Sequence, residues 1–133
     1  MTYDEKQIQH LLKNLKDRDG RIRSSAASRL GELQVKEAVT ELKKILRIDR
    51  DSLVRSSAAS ALGDLGSEAK EAVEVLIETM KSDQIVGVRL EAAVALGNIG
   101  DNQAIPALTQ LALEDEDIRV RSWAADAIRK IKQ

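Results

Sequence analysis

Residues 54–63 read VRSSAASALG, and this stretch decides the fold of the 133-residue chain. Variants of it occur three more times, as IRSSAASRLG at 22–31, VRLEAAVALG at 88–97 and VRSWAADAIR at 120–129. The arginines of the four copies are separated by 32, 34 and 32 residues. An internal period of this length is typical of stacked supersecondary units. The sequence therefore predicts a repeat protein and not a single mixed core.

Within each copy, the apolar residues follow the spacing of one face of a helix. Counted from the arginine as position 0, aliphatic residues or alanines recur at −1, +3, +7 and +10, and a second alanine stands at +4. Steps of four, four and three residues form a stripe on an α-helix and do not alternate as in a strand. Position +8 is Gly31, Gly63 and Gly97, and then Arg129. Because a glycine inside a helix costs roughly 1 kcal/mol against alanine, we expect a neighbouring helix to pack closely at this position in the first three copies only.

A second apolar pattern precedes each of these helices, so each unit is predicted to be a helical hairpin of helix A followed by helix B. Neither helix can bury its stripe alone, so successive hairpins must stack. The prediction is an all-α, right-handed α-solenoid of four hairpins, forming one domain over residues 1–133. The expected repeats span 4–33, 36–65, 68–99 and 102–131. The expected A helices lie near 4–16, 36–48, 68–81 and 103–113, and the B helices near 21–33, 52–65, 86–99 and 118–131.

Turn and capping residues mark the expected helix ends. Gly66 and Gly100 follow two of the B helices, where a left-handed turn suits glycine. Ser67 and Asp101 stand where they could cap the next A helix. The third copy departs from the others, since it has Ile85 four residues before the arginine. The other three copies have an aspartate at that place, suited to an N-cap of helix B: Asp19, Asp51 and Asp117.

The blocks at 49–63 and 83–97, with looser matches at 17–31 and 115–129, resemble the HEAT-like repeats of the phycobilisome-lyase type. The resemblance covers essentially the whole chain. It implies that an aspartate six residues before each repeat arginine joins with the arginines in a polar ladder between neighbouring units. The residues concerned are Asp17, Arg23, Asp49, Arg55, Asp83, Arg89, Asp115 and Arg121.

Composition and charge narrow the classes of partner and compartment. The net charge of −1 and the pI near 5.9 argue against nucleic acid, which calls for a basic stripe, and against a polybasic membrane patch. No apolar run approaches the roughly 20 residues of a membrane span. The polar, acidic start of the chain is unlike a signal peptide. We therefore expect a cytoplasmic protein with no membrane and no nucleic-acid partner.

Residues suited to catalysis or metal binding are scarce. The chain has no cysteine, and His10 is its single histidine, so neither a multi-histidine metal site nor a zinc site of Cys and His can form. A serine triad would need His10 as its base, and no phosphate-binding glycine motif is present. The sequence predicts no catalytic residue, no metal and no cofactor.

The B helices also present a face opposite the apolar stripe, at positions +1, +2, +5 and +9. In a solenoid the B helices typically line the concave side, where such proteins bind partners. Leu90, Val94 and Trp123 place large apolar groups on this face, and clusters of that kind often mark interfaces. The alternative is that Leu90 and Trp123 close the solenoid on itself or form a dimer contact. The candidate partner-binding residues are Ser56, Ser57, Ser60, Leu90, Glu91, Val94, Trp123 and Asp126.

The function favoured by these observations is a non-catalytic module that binds another protein through its B helices. The family resemblance implies an alternative, in which the chain is a component of a bilin lyase or a phycobiliprotein chaperone. A third possibility is a structural or oligomerising part of a larger repeat protein, and self-association belongs to that possibility.

Overall fold

The computed structural model describes residues 3–133, and this part of the chain is helical with no strand. Each of the four hairpins pairs an A helix with a B helix, and three short 3₁₀ turns precede the second, third and fourth A helices. The A helices are α1 (Tyr3–Asn14), α3 (Val39–Ile48), α5 (Val73–Ser82) and α7 (Ile105–Glu114). The B helices are α2 (Gly20–Glu32), α4 (Ser52–Leu65), α6 (Val86–Ile99) and α8 (Ile118–Lys132). The 3₁₀ turns are Lys36–Ala38, Gly66–Ala72 and Asn102–Ala104.

The predicted all-α solenoid is confirmed, and the B helices lie within one residue of their expected ends. The A helices after the first begin two to five residues later than expected, because a 3₁₀ turn takes up the preceding residues. The last residue of each turn is a fully buried alanine, at Ala38, Ala72 and Ala104. Apolar spacing over so few residues does not distinguish a 3₁₀ turn from the first turn of an α-helix, so the sequence pattern did not resolve this difference.

The B helices pack side by side along the whole stack, whereas the A helices touch one another much less. Small residues bring the B helices together. A Cβ built on Gly31 would lie 2.7 Å from the Cα of Ala61, and one built on Gly97 would lie 2.9 Å from the Cα of Ala127. Only hydrogen fits at such distances, which explains the glycine at +8 in three copies. The B helices therefore form the more closely packed layer of the stack, and the face of this layer that points away from the A helices is called the inner surface below.

The core runs through all four hairpins, but the first is more open than the others. The +7 leucines Leu30, Leu62 and Leu96 are fully buried. By contrast, Ile22 at −1 is 38% exposed and Leu33 at +10 is 36% exposed. The apolar pattern places both in the buried stripe, and this prediction is wrong for both in the first hairpin, although the residues at −1 and +10 in the other three hairpins are buried. A stripe position is buried only where neighbouring helices cover it.

The helix caps follow the sequence except at Ser67. The side chains of Asp19, Asp51 and Asp117 accept hydrogen bonds from backbone amides two residues later, as N-caps should. Ile85 occupies the N-cap position of α6 without a side-chain hydrogen bond. Asp101 caps the turn before α7, whereas Ser67 lies inside its 3₁₀ turn and caps nothing. The three left-handed residues after α2, α4 and α6 are Gln34, Gly66 and Gly100, with φ of 59°, 57° and 78°.

Among residues 3–133, no helix combines the length and the apolar character that crossing a bilayer would require.

Candidate functional site

The repeat arginines and aspartates line the edge of the stack where helix A turns into helix B. Arg55 donates from Nη1 to the backbone oxygen of Asp49 in its own hairpin at 2.8 Å. Its Nε and Nη2 donate to the two carboxylate oxygens of Asp83 in the next hairpin, at 2.8 and 3.2 Å. Arg23 bonds in the same way to Asp17 and Asp49, and Arg89 to Asp83 and Asp115. Each of these arginines thus ties its own turn to the turn of the following hairpin.

The aspartates complete this network through the backbone. A carboxylate oxygen of Asp49 accepts from the amide of Asp51 at 2.9 Å, which holds the turn that leads into helix B. Equivalent bonds join Asp17 to the amide of Asp19, and Asp115 to the amide of Asp117. The side chains of Arg89 and Asp115 are each only 6% exposed. A charge buried to this extent is costly unless it is paired, so loss of either partner should destabilise the stack.

The pKa shifts of the ladder residues agree with this arrangement. The hydrogen bond to Asp83 raises the pKa of the Arg55 guanidinium, and the bond to Asp49 raises that of Arg23. Burial raises the pKa of the Asp49 carboxyl, but the hydrogen bonds from Arg23 and from the amide of Asp51 outweigh burial and hold the pKa below its usual value. The folded state therefore favours the ionised form of this pair.

On the inner surface, the small polar residues of the first two B helices are more enclosed than expected. Ser24 and Ser57 share a hydrogen bond, with their Oγ atoms 2.5 Å apart across α2 and α4. Ser24 is buried, so its expected exposure opposite the stripe is wrong, because the adjacent B helix covers it. Ser56 and Ser57 are half-buried and Ser60 is exposed. Lateral packing of the B helices leaves a narrower open strip here than a single helical wheel indicates.

The larger apolar groups lie on α6 and α8. Trp123 is 46% exposed on α8. Leu90 and Val94 on α6 are half-buried, and Leu90 packs partly against the core. Trp123 and Leu90 stand at nearly the same repeat position, +2 and +1, on adjacent helices that pack side by side. The last two B helices therefore offer an indole face beside partly open aliphatic side chains.

The acidic residues on this surface differ in whether a basic side chain neutralises their charge. Glu91 is half-buried on α6, and its pKa is raised by burial and, to a smaller extent, by the negative charge of Asp64. No ion pair to Glu91 or Asp64 is formed within residues 3–133. Asp126 instead pairs with Arg129 on its own helix. The centre of the inner surface thus carries unneutralised negative charge, whereas the charge of Asp126 is compensated.

The sequence analysis did not identify a further set of exposed aliphatic side chains. This set lies at the turn edge and not on the inner surface. Ile48 and Ile85 line a groove between the second and third hairpins, together with Arg50 and Ser52. The available signal was an aliphatic residue where the other copies have a polar one, as at Ile85. Leu53, Leu113 and Ile118 are also exposed near the ends of their helices at the A-to-B turns.

Comparisons with known proteins agree with this architecture. The family model for HEAT repeats matches residues 8–86 and 68–129. A solved chain in the complex of CpcE and CpcF of phycocyanin lyase from Nostoc sp. PCC7120 is 22% identical, with a TM-score of 0.81. The similarity covers 90% of this chain and 78% of that one. At this identity the likeness shows a shared fold.

Human deoxyhypusine hydroxylase, solved in complex with glycerol, is a second structural relative. It is 26% identical with a TM-score of 0.78, over 96% of this chain and 44% of that one. This chain therefore spans less than half the length of the hydroxylase. No curated protein matches the sequence. The HEAT-like repeat expected from the sequence is confirmed by the family match and by the stacked hairpins, and the chain belongs to the HEAT-repeat family.

Proposed function

We propose that this chain is a non-catalytic binding module that holds a protein partner on the inner surface of its B helices. The observation that carries the proposal is the 46% exposure of Trp123 on that surface, in a protein with a single tryptophan and no phenylalanine. Tryptophan is enriched among residues that dominate interface energies, because a large flat group loses water on contact at little cost in conformational entropy.

Leu90 and Val94 extend the contact area from α8 to α6, and Ser60 allows closer approach on α4. Glu91 and Asp64 add unneutralised negative charge, which favours a partner with a basic group near its centre of contact. Ser56, Ser57 and Asp126 complete the proposed contact residues. The stack needs no rearrangement to expose this surface, which suits a preorganised interface.

The test compares Trp123→Ala with Leu113→Ala, since both remove a large exposed side chain but Leu113 lies on α7, outside the B-helix surface. Partners are first isolated as proteins retained both by the immobilised wild-type chain and by Leu113→Ala, without selection on Trp123. Dissociation constants with the purified partner should then rise by at least about tenfold for Trp123→Ala, equivalent to about 1.4 kcal/mol, and stay within about twofold for Leu113→Ala. Unchanged affinity of Trp123→Ala would contradict the proposal.

Fluorescence of the free protein gives an independent check. An indole on an open surface should emit at long wavelength and be quenched readily by acrylamide. A blue-shifted emission that resists quenching would place Trp123 in a closed contact, either within the protein or between two copies, and would remove it from the proposed surface.

A second candidate function comes from the likeness to the CpcE–CpcF complex, which covers most of both chains. In this alternative the chain is one subunit of a lyase that handles a bilin or its carrier protein. Bilin absorbance should then change in band position and intensity when the chain is added, alone or with a second HEAT-like subunit. A spectrum equal to that of free bilin in both mixtures would exclude direct bilin binding by the chain.

A further inference from the structure

Arg121 stands at the ladder position of the fourth hairpin and is held as the other ladder arginines are held. Its Nη1 donates to the backbone oxygen of Asp115 at 2.6 Å, as Arg89 donates to Asp83 at 2.9 Å. In Arg23, Arg55 and Arg89, the Nε and Nη2 groups then bond a carboxylate of the following hairpin. No carboxylate within residues 3–133 takes this place for Arg121. Its guanidinium is thus oriented by one bond, with its carboxylate-binding edge unoccupied.

Apolar side chains lie beside this edge. Ala125 and Ile128 are four and seven residues after Arg121, so the three residues share one face of α8. Both are half-buried, whereas the equivalent Ala93 and Leu96 of α6 are fully buried. Trp123, two residues after Arg121, lies on the opposite side of the helix. The Arg121 face is therefore separate from the inner surface proposed above for the main partner.

The charge of α8 favours an acidic ligand. The helix contains five basic residues and one acidic residue. Arg119 pairs with Asp117 and Arg129 with Asp126, whereas Arg121, Lys130 and Lys132 have no carboxylate partner within residues 3–133. Arg129 restricts the shape of that ligand. It replaces the glycine that lets Ala127 approach Gly97 in the preceding pair of helices. A further helix cannot approach α8 as closely as the inner B helices approach one another, but a segment that reaches Arg121 through a side chain can.

We propose that the Arg121 face of α8, formed by Arg121, Ala125 and Ile128, binds an acidic segment of a protein partner. One carboxylate of this segment occupies the Nε–Nη2 edge of Arg121, as Asp115 occupies that of Arg89. An adjacent aliphatic side chain packs on Ala125 and Ile128. Planar two-point pairing of guanidinium with carboxylate gives this site its preference, because lysine offers a point charge without that geometry.

The probe is a fluorescein-labelled peptide with the sequence of residues 111–118, LALEDEDI, which contains the aspartate that Arg89 binds within the protein. Anisotropy titration to millimolar concentration measures its affinity for wild-type protein, Arg121→Lys and Arg119→Lys. The two variants keep the charge, and Arg119 is an exposed arginine on the same helix that pairs with Asp117. We expect about tenfold weaker binding for Arg121→Lys, equivalent to about 1.4 kcal/mol, and a change within about twofold for Arg119→Lys.

A peptide with asparagine in place of the aspartate at its fifth position should bind wild-type protein as weakly as the parent peptide binds Arg121→Lys. Trp123→Ala should bind the parent peptide normally, which separates this site from the inner surface. Equal loss in the two lysine variants, or no binding at millimolar peptide, would overturn the proposal. A dT10 oligonucleotide that binds more tightly than the peptide and depends more on Arg121 than on Arg119 would assign the edge to phosphate and also overturn it.

Discussion

Helices α6 and α8 carry the same repeated pattern but have different surroundings, and the contrast separates local from neighbour-dependent stability. In α6, Arg89 is 6% exposed and pairs with Asp115 of the next hairpin, and Gly97 is packed by Ala127. In α8, Arg121 lacks a carboxylate within residues 3–133, and Arg129 replaces the glycine. The same repeated pattern is helical in both hairpins, but burial and ion pairing are complete only where a following hairpin packs against the helix.

The largest expected difference between inner and last hairpins concerns the glycine position. Gly63→Arg should lower the free energy of unfolding by more than about 3 kcal/mol, since overpacking by even a few atoms costs 1–3 kcal/mol. A Cβ alone would lie 3.0 Å from the Cα of Ala95. Chemical denaturation followed by far-ultraviolet circular dichroism measures the change.

The matched substitution at the last hairpin is Arg129→Gly. It should cost about 1 kcal/mol, the helix-propensity difference. Similar losses for Gly63→Arg and Arg129→Gly would mean that α8 is covered by another chain in solution.

The ladder arginines give the next largest contrast. Arg89→Ala should destabilise by about 3 kcal/mol, because it leaves the buried carboxylate of Asp115 without its partner. Arg121→Ala should cost about 1 kcal/mol, the value of the single hydrogen bond to the backbone of Asp115. Denaturation midpoints of the two variants are measured under one set of conditions. A larger loss for Arg89→Ala would show that the ladder arginines stabilise the stack through the following hairpin, whereas equal losses would show a role within their own hairpin.

The carboxyls of Asp49 and Glu91 should give opposite effects on the pH dependence of stability. The folded-state pKa of Asp49 is lowered, so its contribution is present above the unfolded pKa of about 3.9 and is lost as the pH falls through the folded value. Asp49→Asn should therefore be less stable than wild type at pH 7, and the difference should shrink below about pH 4.

For Glu91 the folded-state pKa is raised, so ionisation opposes folding as the pH rises above the unfolded value of about 4.3. Glu91→Gln should be more stable than wild type at pH 7, with the gain disappearing in acid. Urea titrations at a series of pH values test both signs. A Glu91→Gln variant less stable than wild type at pH 7 would show that its carboxylate has a stabilising partner.

The smallest expected effect concerns the turn after α2. Gln34 has a left-handed backbone, with φ of 59°, where the following two hairpins have glycine. Its side chain donates to the backbone oxygen of Asp64 at 2.6 Å. Gln34→Ala keeps the strained backbone and loses this bond, whereas Gln34→Gly loses the bond and relieves the strain. Gln34→Gly should thus be more stable than Gln34→Ala by about 1 kcal/mol. Equal midpoints would show that the backbone at this position is relaxed.

The sequence by itself determined the elements and their order. The spacing of apolar residues in copies such as 54–63 predicted the B helices to within a residue, since a stripe at helical spacing requires a helix that packs. It also identified Asp51 as a helix cap, because capping depends on a side chain two residues from the amide it binds. The aspartates and arginines of the ladder were named from their period and from the family resemblance.

Only the tertiary structure decided what each repeated residue contacts. The sequence pattern treats Ser24 as an open position and Leu33 as a buried one, yet Ser24 is covered by α4 and Leu33 is exposed. The 3₁₀ turns before α3, α5 and α7 each end at a fully buried alanine, and the apolar spacing of the sequence did not distinguish them from the first turn of a helix. A helical wheel describes one helix. Burial and ion pairing in a stack depend on the adjacent helix, and the folded structure determines where that helix lies.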